Sequence, residues 1–241
     1  IDRAKAANCS ALVVTLDLQI LGQRHKDIKN GLSAPPKLSI PNIMNMITKP
    51  RWCLGMLGTR RHQFGNIVGH VKGVENMGSL SEWTAKQFDP RLSWADVEWI
   101  KKRWGGKLIL KGVQDVEDAR MAVDTGADAI IVSNHGGRQL DGTVAPLRVL
   151  PGIVAACPEV PVMIDSGFRR GTDVIKALAL GAKFVFVGRP FNYAASVAGE
   201  AGVRKAIALL RDEVSRDMAM LGVTSLSELD ESYLLKAWPG A

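Results

Sequence analysis

Ala129-Ile130-Ile131-Val132-Ser133-Asn134-His135-Gly136-Gly137-Arg138 is the stretch whose reading decides the fold. It opens on four consecutive apolar residues, with no polar alternation. Such a run fits a strand covered on both faces, as in a parallel sheet. It then passes into polar residues and two glycines. Four other stretches have the same form: residues 11–17 (ALVVTLD), 108–112 (LILKG), 161–167 (PVMIDSG) and 184–189 (FVFVGR). Amphipathic helical patterns lie between them at 116–125 and 172–180. Gly126-Ala127 and Gly181-Ala182 follow these, each pair placing a glycine C-cap just before the next strand. Strands alternating with helices make βα units, which close either as an open doubly wound sheet or as a (β/α)8 barrel.

The 241 residues are 46% hydrophobic and 23% charged, a globular composition with enough length for one sizeable core. No run reaches the roughly 18 apolar residues of a membrane span, and no signal peptide is visible. The first residue is Ile, so the chain is expected to lack its natural start. Cys9, Cys53 and Cys157 are scattered and odd in number. They form neither a metal-binding pattern nor a disulfide framework, which suits reduced thiols in a cytosolic protein. The net charge of +7 asks for an anionic partner, but no nucleic-acid-binding motif accompanies it.

Five strands of this kind are present where a barrel needs eight. After residue 189 the pattern is helical, over 201–220 and again over a short stretch at 226–235. The chain therefore reads as the last five βα units of a longer protein. The rhythm breaks over 35–88, which carries Pro35, Pro36, Pro41 and Pro50 with several glycines. Lys49, Arg51, Arg60, Arg61, His62 and Lys72 are interleaved there with Trp52, Met56 and Phe64. A long insertion of this composition is either a loop folded over its own barrel or a surface for an anionic membrane.

The chemistry-bearing residues stand at the strand ends, where barrels keep their active sites. His135 is placed to act as a general base. Arg138, three residues on, offers a planar fork that fits a carboxylate. Asp17 can pair with His135 and stabilise the imidazolium formed when the base takes a proton; the lesser alternative is a helix N-cap. Lys111 ends its strand pointing into the same mouth and needs an anionic partner. Arg24 adds a further charge. Asp165, Ser166, Gly167 and Arg169 follow one strand, and Gly188 and Arg189 end the next. Glycine-flanked amides with arginine make an anion cradle. In barrels the phosphate site lies at the loops after the last two strands, which favours the barrel.

Together these residues resemble the FMN-dependent 2-hydroxy acid dehydrogenase and oxidase family. The most specific segment is SNHGGRQLD at 133–141. The resemblance implies a (β/α)8 barrel, with residues 1–241 the C-terminal portion of a single FMN-binding domain and 35–88 a long loop inserted in it. It implies His135 as catalytic base supported by Asp17, and Arg138 and Arg24 as substrate-binding residues. It implies too that Lys111 would stabilise reduced FMN and that Thr15 and Ser133 would contact the flavin ring. By the same resemblance Asp165, Ser166, Gly167, Arg169, Gly188 and Arg189 would bind the cofactor through its ribityl chain and phosphate.

Residues 61–67 (RHQFGNI), 88–90 (FDP) and 93–100 (SWADVEWI) are similar to segments of the bacterial quinone-linked L-lactate dehydrogenases. That likeness implies oxidation of L-lactate to pyruvate, quinone as acceptor, peripheral contact with the inner face of the cell membrane and a homo-oligomer, expected as a tetramer. Two alternatives stay within the family: an oxygen-using glycolate or other 2-hydroxy acid oxidase, and a mandelate dehydrogenase. Outside it stand a phosphosugar isomerase using the same phosphate loops, and a non-catalytic half barrel that needs a partner chain.

Overall fold

A computed structural model describes residues 1–20, 22–31, 39–59, 65–71, 73–74, 83 and 88–235. The five expected strands form in it as β1 (Ala11–Thr15), β2 (Lys107–Val113), β3 (Ala129–Val132), β4 (Val162–Ile164) and β5 (Phe184–Val185). They lie in one sheet in the order β1-β2-β3-β4-β5, and every pair is parallel. Sequential order with parallel pairing is what βα units produce when each crossover carries the chain one place along. All four residues of β3 are buried, so the sheet is covered on both faces there.

Short helices come first in each part of the chain: α1 (Asp2–Ala6), α2 (His25–Lys29), α3 (Ile40–Ile47) and α4 (Pro50–Gly58). The crossovers follow as α5 (Trp94–Trp104), α6 (Val116–Asp124), α7 (Pro146–Ala156) and α8 (Gly171–Ala179). Asp115 caps α6 by accepting from the Glu117 N–H at 2.8 Å. Leu108, Leu110, Ile130, Val132 and Ile164 of the sheet pack in one core with Ala119 and Ala122 of α6 and Leu150 and Ile153 of α7. Each large side chain buried this way contributes about 1.5–3 kcal/mol.

The long final helix α9 (Arg189–Leu221) starts earlier than the 201–220 pattern suggests, and it is broken at Ala198 and Gly199. The short helix expected over 226–235 is instead two 3-10 turns, Leu226–Glu228 and Glu231–Tyr233. The reason is local. The Asp230 carboxylate accepts from the Ser232 N–H at 2.9 Å and restarts the chain as a new capped turn.

The chain forms two compact units, one of Ile1–Asp17 with Leu92–Ala241 and one of Leu18–Arg91. The second contains α2, α3 and α4. Helices stand at 40–47 and 50–58, where proline content suggests irregular chain, because Pro41 and Pro50 fall in the first helical turn. There the missing N–H costs nothing. Ile40, Ile43, Met44 and Ile47 recur at helical spacing on α3, and all are exposed. Trp52, Leu54, Met56 and Leu57 of α4 are exposed as well. Pro35, Pro36, Arg60, Arg61, His62, Phe64 and Lys72 lie outside the described residues.

At the N-terminal ends of the strands, Asp128 ties α5 to the sheet. Its carboxylate accepts from Lys101 Nζ at 2.6 Å, Lys107 Nζ at 2.8 Å and the Leu108 N–H at 2.8 Å. The hydrogen bonds from Lys101 and then Lys107 hold the carboxyl far below the usual carboxylate range. A carboxyl whose pKa falls on folding stabilises the fold above its unfolded value, and that contribution is lost as pH drops through the folded value. Asp128→Asn is therefore expected to cost about 1–2 kcal/mol at neutral pH. The difference between the two proteins narrows as pH is lowered below about 4. Urea midpoints across that range check both statements, and a gap that stays constant contradicts the linkage.

Candidate active site

The strand ends gather the polar residues that the apolar strands cannot bury. A cavity of about 970 Å³ opens over them, lined by residues of the first unit. Lys111 lines it from β2, and His135 and Arg138 from the turn after β3. Asp165, Ser166, Gly167 and Arg169 line it from the segment after β4, and Gly188 and Arg189 from the start of α9. Thr15 ends β1 in register with Lys111. Arg24 belongs to the second unit, where it stands at the N-terminal boundary of α2.

The turn after β3 is left-handed for three residues in a row: φ is +57° at His135, +67° at Gly136 and +69° at Gly137. Asn134 stabilises it, since its carbonyl and its Oδ1 accept from the Gly137 N–H at 3.0 and 3.2 Å. The result aims the His135 ring back towards β1. Its Nδ1 lies 3.3 Å from Asp17 Oδ1, with both side chains largely shielded from solvent. A carboxylate can only accept, so a neutral imidazole paired with it in this way donates from Nδ1 and turns the lone pair of Nε2 to the cavity. Asp17 Oδ2 is buried and has no hydrogen-bond partner among the described residues.

Gly112 makes this pairing possible, and the sequence reading gave that residue no role. Its φ is +104°, and the β2–β3 register shifts there. A Cβ at 112 would stand 2.9 Å from Asp17 Cγ and 3.0 Å from the Asp17 backbone nitrogen. The available signal was a glycine directly after the strand-end lysine.

Lys111 finds its anionic partner inside the protein. Its Nζ lies 3.1 Å from Asp165 Oδ2 and donates to Ser133 Oγ at 2.8 Å. Ser133, fully buried, also accepts from the His135 N–H at 3.1 Å. Arg189 Nη2 donates to the Gly136 carbonyl at 3.2 Å, which ties the start of α9 to the His135 turn. The cavity wall thus carries Lys111, Arg138, Arg169 and Arg189 against two carboxylates, Asp141 and Asp165. The first turn of α9 adds the positive end of a helix dipole. No carbon or heteroatom stands within 4 Å of a Cβ built on Gly167 or Gly188, so both backbones are open to a ligand. A donor set of this kind fits an elongated anion with a terminal phosphate. Among the described residues no cluster of His, Cys, Asp and Glu could hold a metal ion.

A ring of charged strand ends around a base, over a parallel sheet of βα units, defines an α/β-barrel site. The family model for FMN-dependent dehydrogenases matches residues 1–236, so the chain belongs to the FMN-dependent dehydrogenase family. It is 42% identical over 239 residues to the L-lactate dehydrogenase of Ectopseudomonas mendocina (strain ymp), a match covering 98% of this chain and 62% of that enzyme. It is 43% identical over 241 residues to the L-lactate dehydrogenase of Pseudomonas syringae pv. syringae (strain B728a), with 98% and 63% covered.

The crystal structure of the monotopic membrane protein (S)-mandelate dehydrogenase superposes with a TM-score of 0.90 at 36% identity, over 97% of this chain and 62% of that one. A mandelate oxidase superposes with a TM-score of 0.72 at 36% identity, over 95% and 57%. The fold is the (β/α)8 barrel, of which this chain holds five βα units, and the chain spans about three-fifths of the length of these relatives.

Proposed function

We propose that the protein carrying this chain oxidises an L-2-hydroxy acid with FMN as cofactor, L-lactate to pyruvate being the reaction favoured by its relatives. The observation that carries this reading is the His135–Asp17 pair, with Nε2 left as the basic atom and Arg138 three residues away on the same cavity wall. When bound, FMN supplies the two-electron acceptor. Arg169, Arg189, Gly188 and the first turn of α9 would hold its phosphate, and Asp165 and Gly167 its ribityl chain. Lys111, Ser133 and Thr15 would face the ring system.

The chain's own residues do the rest. Arg138 binds and orients the substrate carboxylate through its planar fork. The hydroxy acid loses two protons and two electrons in becoming the 2-oxo acid; His135 Nε2 takes one of the protons, and the other passes with the two electrons to bound FMN. Asp17 stabilises the imidazolium that results. The basic wall lowers the cost of concentrating negative charge in one cavity.

The exposed apolar faces of α3 and α4, beside Lys49 and Arg51, support peripheral membrane contact through 35–88, and with it a quinone acceptor. Among the described residues no helix is long and apolar enough to cross a membrane. The likeness to (S)-mandelate dehydrogenase favours a second reading in which the acid is aromatic.

One experiment addresses the reading and its rival. The full-length protein is assayed for 2-oxo acid production from L-lactate and (S)-mandelate, with a quinone analogue or oxygen as acceptor, with and without anionic vesicles. Pyruvate formed with the quinone analogue by vesicle-bound protein is the expected result. Preference for mandelate selects the second reading, and no 2-oxo acid from either substrate contradicts the proposal.

A further inference from the structure

The structure assigns Ser166 a role as a positioning residue: its hydroxyl locks the left-handed turn that carries His135. This rests on the reading of His135 as the base. Ser166 has φ +80°, and among the described residues only Asn8 and His135 share a positive φ without being glycine. Holding an L-residue there costs about 1–2 kcal/mol, a cost that glycine avoids. A serine kept at such a position points to work for its side chain.

Three contacts show what that work is. Ser166 Oγ accepts from the Asn134 N–H at 3.2 Å and from the Gly136 N–H at 3.0 Å, and it donates to Asp165 Oδ1 at 2.8 Å. A hydroxyl has one donor and two acceptor positions, so its capacity is fully used within the protein. That leaves the backbone N–H and C=O as the polar groups through which Ser166 could meet a cofactor. The two amides it holds flank His135. The turn they belong to contains Gly136 and Gly137, which have wide conformational freedom without such a hold. The Ser166 hydroxyl thus fastens the end of β4 to the turn after β3. It keeps the imidazole where Nδ1 meets Asp17.

The test uses Ser166→Gly and Ser166→Ala in the full-length holoprotein. The glycine variant removes the hydroxyl and the φ penalty together, so its thermal midpoint and FMN content are expected to match the parent. Amide hydrogen exchange at 134 and 136 is expected to quicken at least about tenfold, with the amides of β3 unchanged. Flavin reduction by substrate slows by about ten- to a hundredfold, with KM nearly unchanged. The alanine variant shows the same kinetic loss without relief of strain.

Unchanged exchange at 134 and 136, or parental reduction rates in both variants, overturns the assignment. So does a loss confined to FMN content, with full rates in the loaded fraction. If the parent protein oxidises no 2-hydroxy acid, the reading of His135 fails instead, and the exchange measurement still decides whether Ser166 holds the turn.

Discussion

A His135→Gln variant of the full-length protein is expected to keep its flavin and to lose reduction of that flavin by substrate, by about a thousandfold or more. A positioned general base contributes about 10²–10⁴ in rate, and the upper part of that range applies where no other base stands in reach. The groups lining the cavity nearest the turn are Lys111 and Arg138, which are cationic, and two carboxylates: Asp165, engaged by Lys111 and Ser166, and Asp141, which accepts from the Gly142 N–H at 3.0 Å. Glutamine keeps a polar side chain of similar reach but has no basic nitrogen. It sits less readily than histidine at φ +57°, so a small loss of thermal stability accompanies the change. Stopped-flow mixing with substrate under anaerobic conditions measures the effect, with flavin content and thermal midpoint as controls. Reduction within tenfold of the parent rate contradicts the assigned role.

Asp17→Asn is expected to slow the same step by roughly two orders of magnitude while leaving the protein no less stable. The carboxylate does two things that an amide does badly. It fixes the tautomer by accepting from Nδ1, and it balances the charge of the imidazolium. An asparagine can present its NH₂ to Nδ1 instead, which moves the ring proton to Nε2 and removes the base. Stability follows a different rule. Asp17 Oδ2 is buried without a hydrogen-bond partner among the described residues, so the native carboxylate already carries an unmet desolvation cost of about 1–3 kcal/mol. Replacing it with a neutral amide of the same shape relieves part of that cost. An unchanged or raised thermal midpoint beside a collapsed reduction rate is the expected pair of results. A parental rate removes Asp17 from the mechanism.

The sheet was legible because its strands are apolar at nearly every position. AIIV at β3 can hardly be read otherwise, and Gly126 and Gly181 mark where the preceding helices end. The helices of the second unit were hidden by their prolines. Pro41 and Pro50 signal irregular chain when counted, and helix starts when placed. The 3-10 turns at the end were hidden because Asp230 acts on its own backbone, at a range that apolar periodicity does not report.

At the site, His135, Arg138, Lys111, Asp165, Arg169 and Arg189 were named by position at strand ends, and the fold brings them to one cavity. What sequence could not give was the connections. Lys111 bonds to Asp165, Arg189 reaches the Gly136 carbonyl, and Ser166 holds two amides thirty or more residues away. Each joins the end of one strand to the end of another, and only the register of the sheet decides which ends are neighbours. Gly112 was missed for the same reason, since its close neighbour Asp17 lies just past the end of a different strand.

The most direct test of the central claim is the visible absorbance spectrum of the purified full-length protein, recorded before and after anaerobic addition of L-lactate and, in parallel, of D-lactate. The account predicts flavin bands that bleach with the L-enantiomer and persist with the D-enantiomer. Flavin bands that no 2-hydroxy acid bleaches would contradict it.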